Sequence, residues 1–162
     1  MGTDRKTVGR RSPKVVMTFM VADMFHSGHL NLLERAKALG DKLIVGIPTN
    51  WTIAEHIKGK DPVIQAEDRL RIVQALKYVD FAFIYTDTDA LKESIRLLRP
   101  DIVCRGDDWK DFVGKDAAEE VGAEIVFLPY TQSISSTKLR EKLCEFISSE
   151  EIQTPPEPST KK

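Results

Sequence analysis

Residues 14–29, KVVMTFMVADMFHSGH, decide how this chain is read. The first seven, 14–20, are apolar or β-branched after Lys14, without alternation, the pattern of a strand covered on both faces. The last four, His26-Ser27-Gly28-His29, open a stretch over 28–39 in which Leu30, Leu32, Leu33, Ala36 and Leu39 recur at helical spacing. Gly40 is expected to close that helix in a left-handed cap. A buried strand running directly into a helix is the start of a βαβ unit.

The alternation continues outward from this stretch. Strands are expected at 41–47, 81–85, 101–104 and 124–128, and helices at 66–78, 91–98, 117–121 and 136–147. Strand–helix alternation at this spacing predicts an α/β fold, a five-stranded parallel sheet with helices on both faces. In such sheets ligands bind beyond the carboxyl ends of the strands, near the point where strand order reverses. The unit is expected over 14–148, with a flexible basic tail at 1–13 and a proline-rich flexible tail at 149–162.

Composition narrows the classes. Of 162 residues 41% are hydrophobic and 30% charged, and 24 Lys+Arg against 25 Asp+Glu leave a net charge of −1. No basic field argues for nucleic-acid binding. The apolar runs are too short for a bilayer span, and the basic N-terminus has no following hydrophobic region of a secretory signal. Cys104 and Cys144 have no metal or redox spacing, so a reduced, cytoplasmic setting is expected.

Two of the chain's three histidines, His26 and His29, fall at a strand's carboxyl edge and a helix's first turn. Free backbone N–H groups and the positive end of the helix dipole suit a phosphate there. Gly28 would let a ligand approach the backbone. Two imidazoles can donate to phosphoryl oxygens and stabilise charge that grows during transfer. A histidine at a helix start can also be an ordinary cap, and that alternative stays open. His-x-x-His lacks the further ligands of a zinc site.

His26-Ser27-Gly28-His29 resembles the HxGH signature of the nucleotidyltransferase superfamily. The chain further resembles bacterial glycerol-3-phosphate cytidylyltransferase-like enzymes, through Gly106-Asp107-Asp108-Trp109, Ile134-Ser135-Ser136-Thr137 and Lys77-Tyr78-Val79-Asp80. The resemblance implies a Rossmann-like fold and transfer of CMP from CTP to a small phosphomonoester or phosphonate, with Mg2+ and release of pyrophosphate. It assigns catalysis to His26 and His29, with Lys58 and Lys60 as phosphate clamps. Nucleotide contacts would come from Val21, Ala22, Asp23, Ser27, Gly28, Gly106, Asp108, Trp109, Tyr130, Thr131, Ile134, Ser135, Ser136 and Thr137. Lys58, Lys77 and Lys92 are candidates for the acceptor, and Asp23 for the metal. A homodimer is expected, with no nucleic-acid or membrane partner.

Blander alternatives stand beside these: a solvated Lys-Gly-Lys loop, a turn with a half-buried indole, and Ser or Thr as simple N-caps. The chain also departs from the resembled pattern. Met20-Val21-Ala22-Asp23 stands where Gly-Thr-Phe-Asp is usual, Tyr130 where an arginine precedes threonine, and Lys77 where another arginine stands. These changes touch phosphate and acceptor contacts. An ATP-dependent adenylyltransferase, suggested by Pro62-Val63-Ile64 ahead of Glu67-Asp68-Arg69, and an inactive nucleotide-binding domain remain as alternatives.

Overall fold

The computed structural model describes residues 11–54, 61–107 and 111–149. Five parallel strands, β1 (Val15–Phe19), β2 (Lys42–Pro48), β3 (Phe81–Tyr85), β4 (Ile102–Gly106) and β5 (Glu124–Leu128), lie in the order β3-β2-β1-β4-β5. The helices between them are α1 (Ser27–Lys37), α2 (Asn50–Thr52), α3 (Ala66–Gln74), α4 (Thr88–Leu98) and α5 (Lys115–Glu120), and α6 (Ser136–Ser149) follows β5.

The strands are β-branched runs because both faces are covered. Val16, Leu43, Val45 and Ile102 meet Leu33 and Ala36 of α1 and Val73 of α3 on one face. On the other, Met17, Phe19 and Val103 meet Leu91 and Ile95 of α4 and Ala117 and Ala118 of α5. Each fully buried aliphatic side chain contributes roughly 1.5–3 kcal/mol of transfer free energy. The chain winds outward from β1 to β3 and then crosses to β4, so the reversal of strand order falls between β1 and β4. The carboxyl ends of these two strands frame the site.

Differences from the sequence expectation have local causes. The first helix stops at Lys37, and Gly40 is not left-handed. A Cβ at Gly40 would lie 2.7 Å from the Lys14 carbonyl oxygen and 2.7 Å from Val16 Cγ2, so close approach of β1 is what requires glycine there. The left-handed cap belongs to Arg99 (φ 44°), which ends α4 just before Pro100. Helix α3 ends at Gln74, short of the expected 78, and α2, begun by a Thr49 side-chain cap, escaped periodicity because it spans three residues. Residues 1–10 and 150–162 of the expected tails lie outside the described residues.

Candidate active site

A cavity of about 310 Å³ opens at the carboxyl ends of β1 and β4. His26, Gly28 and His29 from the start of α1, Ser135, Ser136 and Thr137 from the start of α6, Gly106 at the end of β4, and Met20, Val21, Tyr130 and Thr131 from the strand exits all line it.

The histidines are fixed by the helix they begin. His26 is the N-cap of α1 in extended conformation, and its Nδ1 accepts from Gly28 N–H at 3.1 Å. His29, three residues on, returns the bond: its Nδ1 accepts from His26 N–H at 3.3 Å. This is a capping box made of two imidazoles. The rings stack with centroids 4.0 Å apart, and Phe25 stacks on His29 at 5.3 Å. An Nδ1 that accepts a hydrogen bond leaves the ring proton of a neutral imidazole on Nε2. The cap reading and the functional reading of this pair are therefore one arrangement. Capping fixes the tautomer that can donate to an anion.

Gly28 has a structural reason beside the one read in the sequence. A Cβ there would come within 2.8 Å of His26 Cε1, so the glycine makes room for the folded-back imidazole, and it also lines the cavity. Ile134 packs beside it, its Cγ2 3.6 Å from the same point.

Asp23 corrects a second expectation. It is 3% exposed, and both carboxylate oxygens are engaged: Oδ1 by Ile64 N–H at 3.0 Å, Oδ2 by Val63 N–H at 3.1 Å and Arg140 Nη2 at 2.6 Å. Burial works against its charge, but these donors outweigh it and hold the carboxyl below its ordinary value. Its carbonyl accepts from the Ser136 hydroxyl at 2.7 Å. Asp23 is a clasp joining the β1 exit, residues 63–64 and α6, not an open metal ligand. No group of three or more His, Cys, Asp or Glu side chains suited to a metal occurs among the described residues. They offer no side-chain cage for Mg2+.

The loop this clasp restrains is strained. Ala22 (φ 57°) and Met24 (φ 48°) both occupy the left-handed region without being glycine. Arg69 supports it from below. Fully buried, it donates to the carbonyls of Val21 (2.6 Å), Pro48 (2.8 Å) and Ile64 (2.9 Å) and to Asn50 Oδ1 (2.8 Å). One guanidinium thus fastens the exits of β1 and β2 to the segment before α3. Met20 is buried against the cavity where the resembled enzymes have glycine, so the wall is bulkier there.

Among the remaining sequence candidates, Ser135 caps α6, accepting from Lys138 N–H at 3.2 Å. Thr131 Oγ1 accepts from Asn31 at 3.3 Å, and Tyr130 N–H donates to Asp107 Oδ1 at 2.9 Å, tying the β5 exit to the β4 exit. Ser27 is exposed and Ala22 buried, and neither lines the cavity. Lys58, Lys60, Asp108 and Trp109 lie outside the described residues.

Two acceptor candidates are misplaced. Lys77 precedes β3 at the amino end of the sheet, its Nζ 4.9 Å over the Tyr78 ring. Lys92 of α4 bonds Asp116 at 2.7 Å and lines a separate depression over α5. Sequence reasoning misses three arginines as site residues: Arg69, Arg140 and Arg105, the last at the cavity wall. Arg105 is the residue before Gly106-Asp107, so its place at a strand's carboxyl end was the available signal.

Comparison with known proteins fits this geometry. The family described as cytidylyltransferase-like matches residues 21–153. The chain belongs to the cytidylyltransferase-like family. It is 35% identical over 133 residues to the bifunctional protein HldE of Desulfatibacillum aliphaticivorans, covering 80% of this chain and 27% of that one. It is 34% identical to HldE of Magnetococcus marinus with the same coverage. The chain thus spans about a quarter of the length of these curated relatives. Among solved structures, the lipopolysaccharide core biosynthesis protein of Thermoplasma volcanium superposes with TM-score 0.65 at 27% identity, covering 75% of this chain and all of that one. Pantoate-beta-alanine ligase of Francisella tularensis, at 15% identity and TM-score 0.54 over 88% of this chain and 74% of that one, shares the fold. No helix among the described residues is long and apolar enough to cross a membrane.

Proposed function

We propose that this cytidylyltransferase-like protein transfers a nucleoside monophosphate from a nucleoside triphosphate to a small phosphomonoester, releasing pyrophosphate. The observation that carries the reading is the reciprocal imidazole cap, which turns two Nε2–H donors into fixed features of a helix N-terminus beside a second helix N-terminus. Both helix starts favour anions, and rigid donors favour the charge that develops at the α-phosphorus. A phosphate oxygen of the acceptor attacks the α-phosphorus as the bond to the bridging oxygen breaks, and pyrophosphate departs on the opposite side. No covalent enzyme intermediate is required, so positioning and electrostatics supply the rate. Lys58 and Lys60 are assigned as further phosphate contacts by the sequence resemblance.

CTP is the proposed donor, because the Asp108 of the Gly-Asp-Asp-Trp segment offers a carboxylate to the cytosine amino group. A second reading, ATP, draws on Pro62-Val63-Ile64 with Glu67-Asp68-Arg69, the segment shared with adenylyltransferases, whose backbone and arginine clasp Asp23 and Val21. The structural relative from Thermoplasma volcanium is a lipopolysaccharide core biosynthesis protein, and sugars for such polymers are activated as nucleotide conjugates. A sugar phosphate is therefore the proposed acceptor class, and Mg2+ the proposed companion of the triphosphate. Pyrophosphate release measured with CTP and with ATP over a panel of sugar phosphates tests the reading. Conjugate formation with either nucleotide supports transfer and fixes the donor; release with neither refutes it.

A further inference from the structure

The cavity has two chemically different ends. His26, His29 and the first turn of α6 form one. Phe19, Tyr85 and Arg105 form the other, on the opposite side of the sheet. Strand parity explains the separation: Cys104 packs in the core under α1 and α3, whereas Val103 packs with α4 and α5, so Arg105 lies on the α4–α5 side. Its guanidinium sits 5.6 Å over the Phe112 ring, and its Nη1 donates to the Phe19 carbonyl at 2.8 Å. It is the one lysine or arginine lining this cavity among the described residues.

We propose that Arg105, with Tyr85 beside it, forms the subsite for the acceptor's phosphate and so determines that the acceptor is a phosphate ester. The inference rests on the nucleotidyl-transfer reading above. In-line displacement puts the attacking oxygen opposite the leaving pyrophosphate. With the donor's phosphates at the helix N-termini, the acceptor must come from across the end of β1, where Arg105 stands. A planar guanidinium matches phosphate geometry bidentately, and its anchors on Phe19 and Phe112 hold it in place before the ligand arrives. The Tyr85 phenol is protonated at neutral pH and able to donate, and burial pushes its value further up, to about 12, against the pull of Arg105 and Arg69. The chain carries Tyr130 where the resembled enzymes carry an arginine, and Arg105 supplies a guanidinium on the other wall.

The test measures binding of inorganic phosphate to the full chain saturated with α,β-methylene CTP or ATP, which occupies the donor site. Wild type, R105M and R105K are compared by calorimetry, with melting curves recorded for each. The expected result is equal nucleotide affinity in all three, phosphate affinity reduced about 10- to 100-fold in R105M, and a reduction of several-fold in R105K, which keeps the charge and loses the fork. R105K is informative by itself should R105M melt early. Nucleotide affinity that falls while phosphate affinity holds would move Arg105 to the donor site and overturn the proposal, as would phosphate affinity unchanged in both variants. Failure of the wild type to bind either nucleotide would instead sink the transfer reading itself, and the subsite with it.

Discussion

Replacing Asp23 by asparagine probes the clasp on which the cavity wall depends. The two carboxylate oxygens serve different donors, Ile64 N–H on Oδ1 and Val63 N–H with Arg140 on Oδ2. An asparagine has one carbonyl oxygen, so each flip orphans a partner. The cheaper flip keeps Val63 and Arg140 and sets an amide NH2 against Ile64 N–H. An unsatisfied buried donor costs about 1–3 kcal/mol, and reducing the charge-assisted bond to Arg140 to a neutral acceptor costs about 1 more. The expected loss is about 2–4 kcal/mol at pH 7, or a fall in Tm of roughly 6–15 °C for a domain of this size. Because Asp23 is held below its ordinary value, the stability it supplies is complete above the unfolded carboxylate value near ~3.9 and is lost as pH falls through the lower folded value. Urea denaturation of wild type and D23N at pH 7 and again in progressively stronger acid measures both effects. A difference under ~0.5 kcal/mol at neutral pH, or one that persists undiminished in acid, would refute the clasp.

Three further outcomes follow. Alanine at His29 is expected to cut the rate of pyrophosphate release at least ~100-fold, the cost of one donor at a developing oxyanion, and stopped-time assays at saturating substrate would read it. Alanine at Gly40 forces a Cβ to 2.7 Å from the Lys14 carbonyl and should destabilise by about 1–3 kcal/mol in chemical denaturation; a stability equal to wild type would mean that β1 can shift freely. Lys77→Ala and Lys92→Ala should leave both substrate KM values within about twofold, since neither side chain lines the cavity, and a tenfold rise in either KM would return that lysine to the site.

What the sequence made legible was periodic. The strands and helices are continuous apolar runs or helical stripes, and the HSGH segment stands at a strand-to-helix junction that topology makes a ligand site. Side chains that act on backbone rather than on a hydrophobic pattern were not legible. Arg69 reads as one charge on an acidic first turn, yet it is fully buried because the carbonyls of Val21 and Pro48, distant in sequence, converge on it with that of nearby Ile64. Asp23 is legible as a site residue but not as a clasp, since its partners Val63, Ile64 and Arg140 lie about 40 to 117 positions away. Gly40 stands out in the sequence for backbone freedom, whereas what matters in the fold is that it lacks a Cβ against Lys14 and Val16.

The proposed transfer centres on two imidazoles that present Nε2–H to a nucleotide, and the chain's three histidines make long-range 1H–15N spectra of the rings simple to assign. With the free protein, His26 and His29 should show a protonated Nε2 and an unprotonated, hydrogen-bonded Nδ1. Addition of CTP or ATP should shift both Nε2–H signals while leaving that tautomer in place. Signals from His26 and His29 that stay unmoved at saturating nucleotide, or a tautomer protonated on Nδ1, would contradict that mechanism.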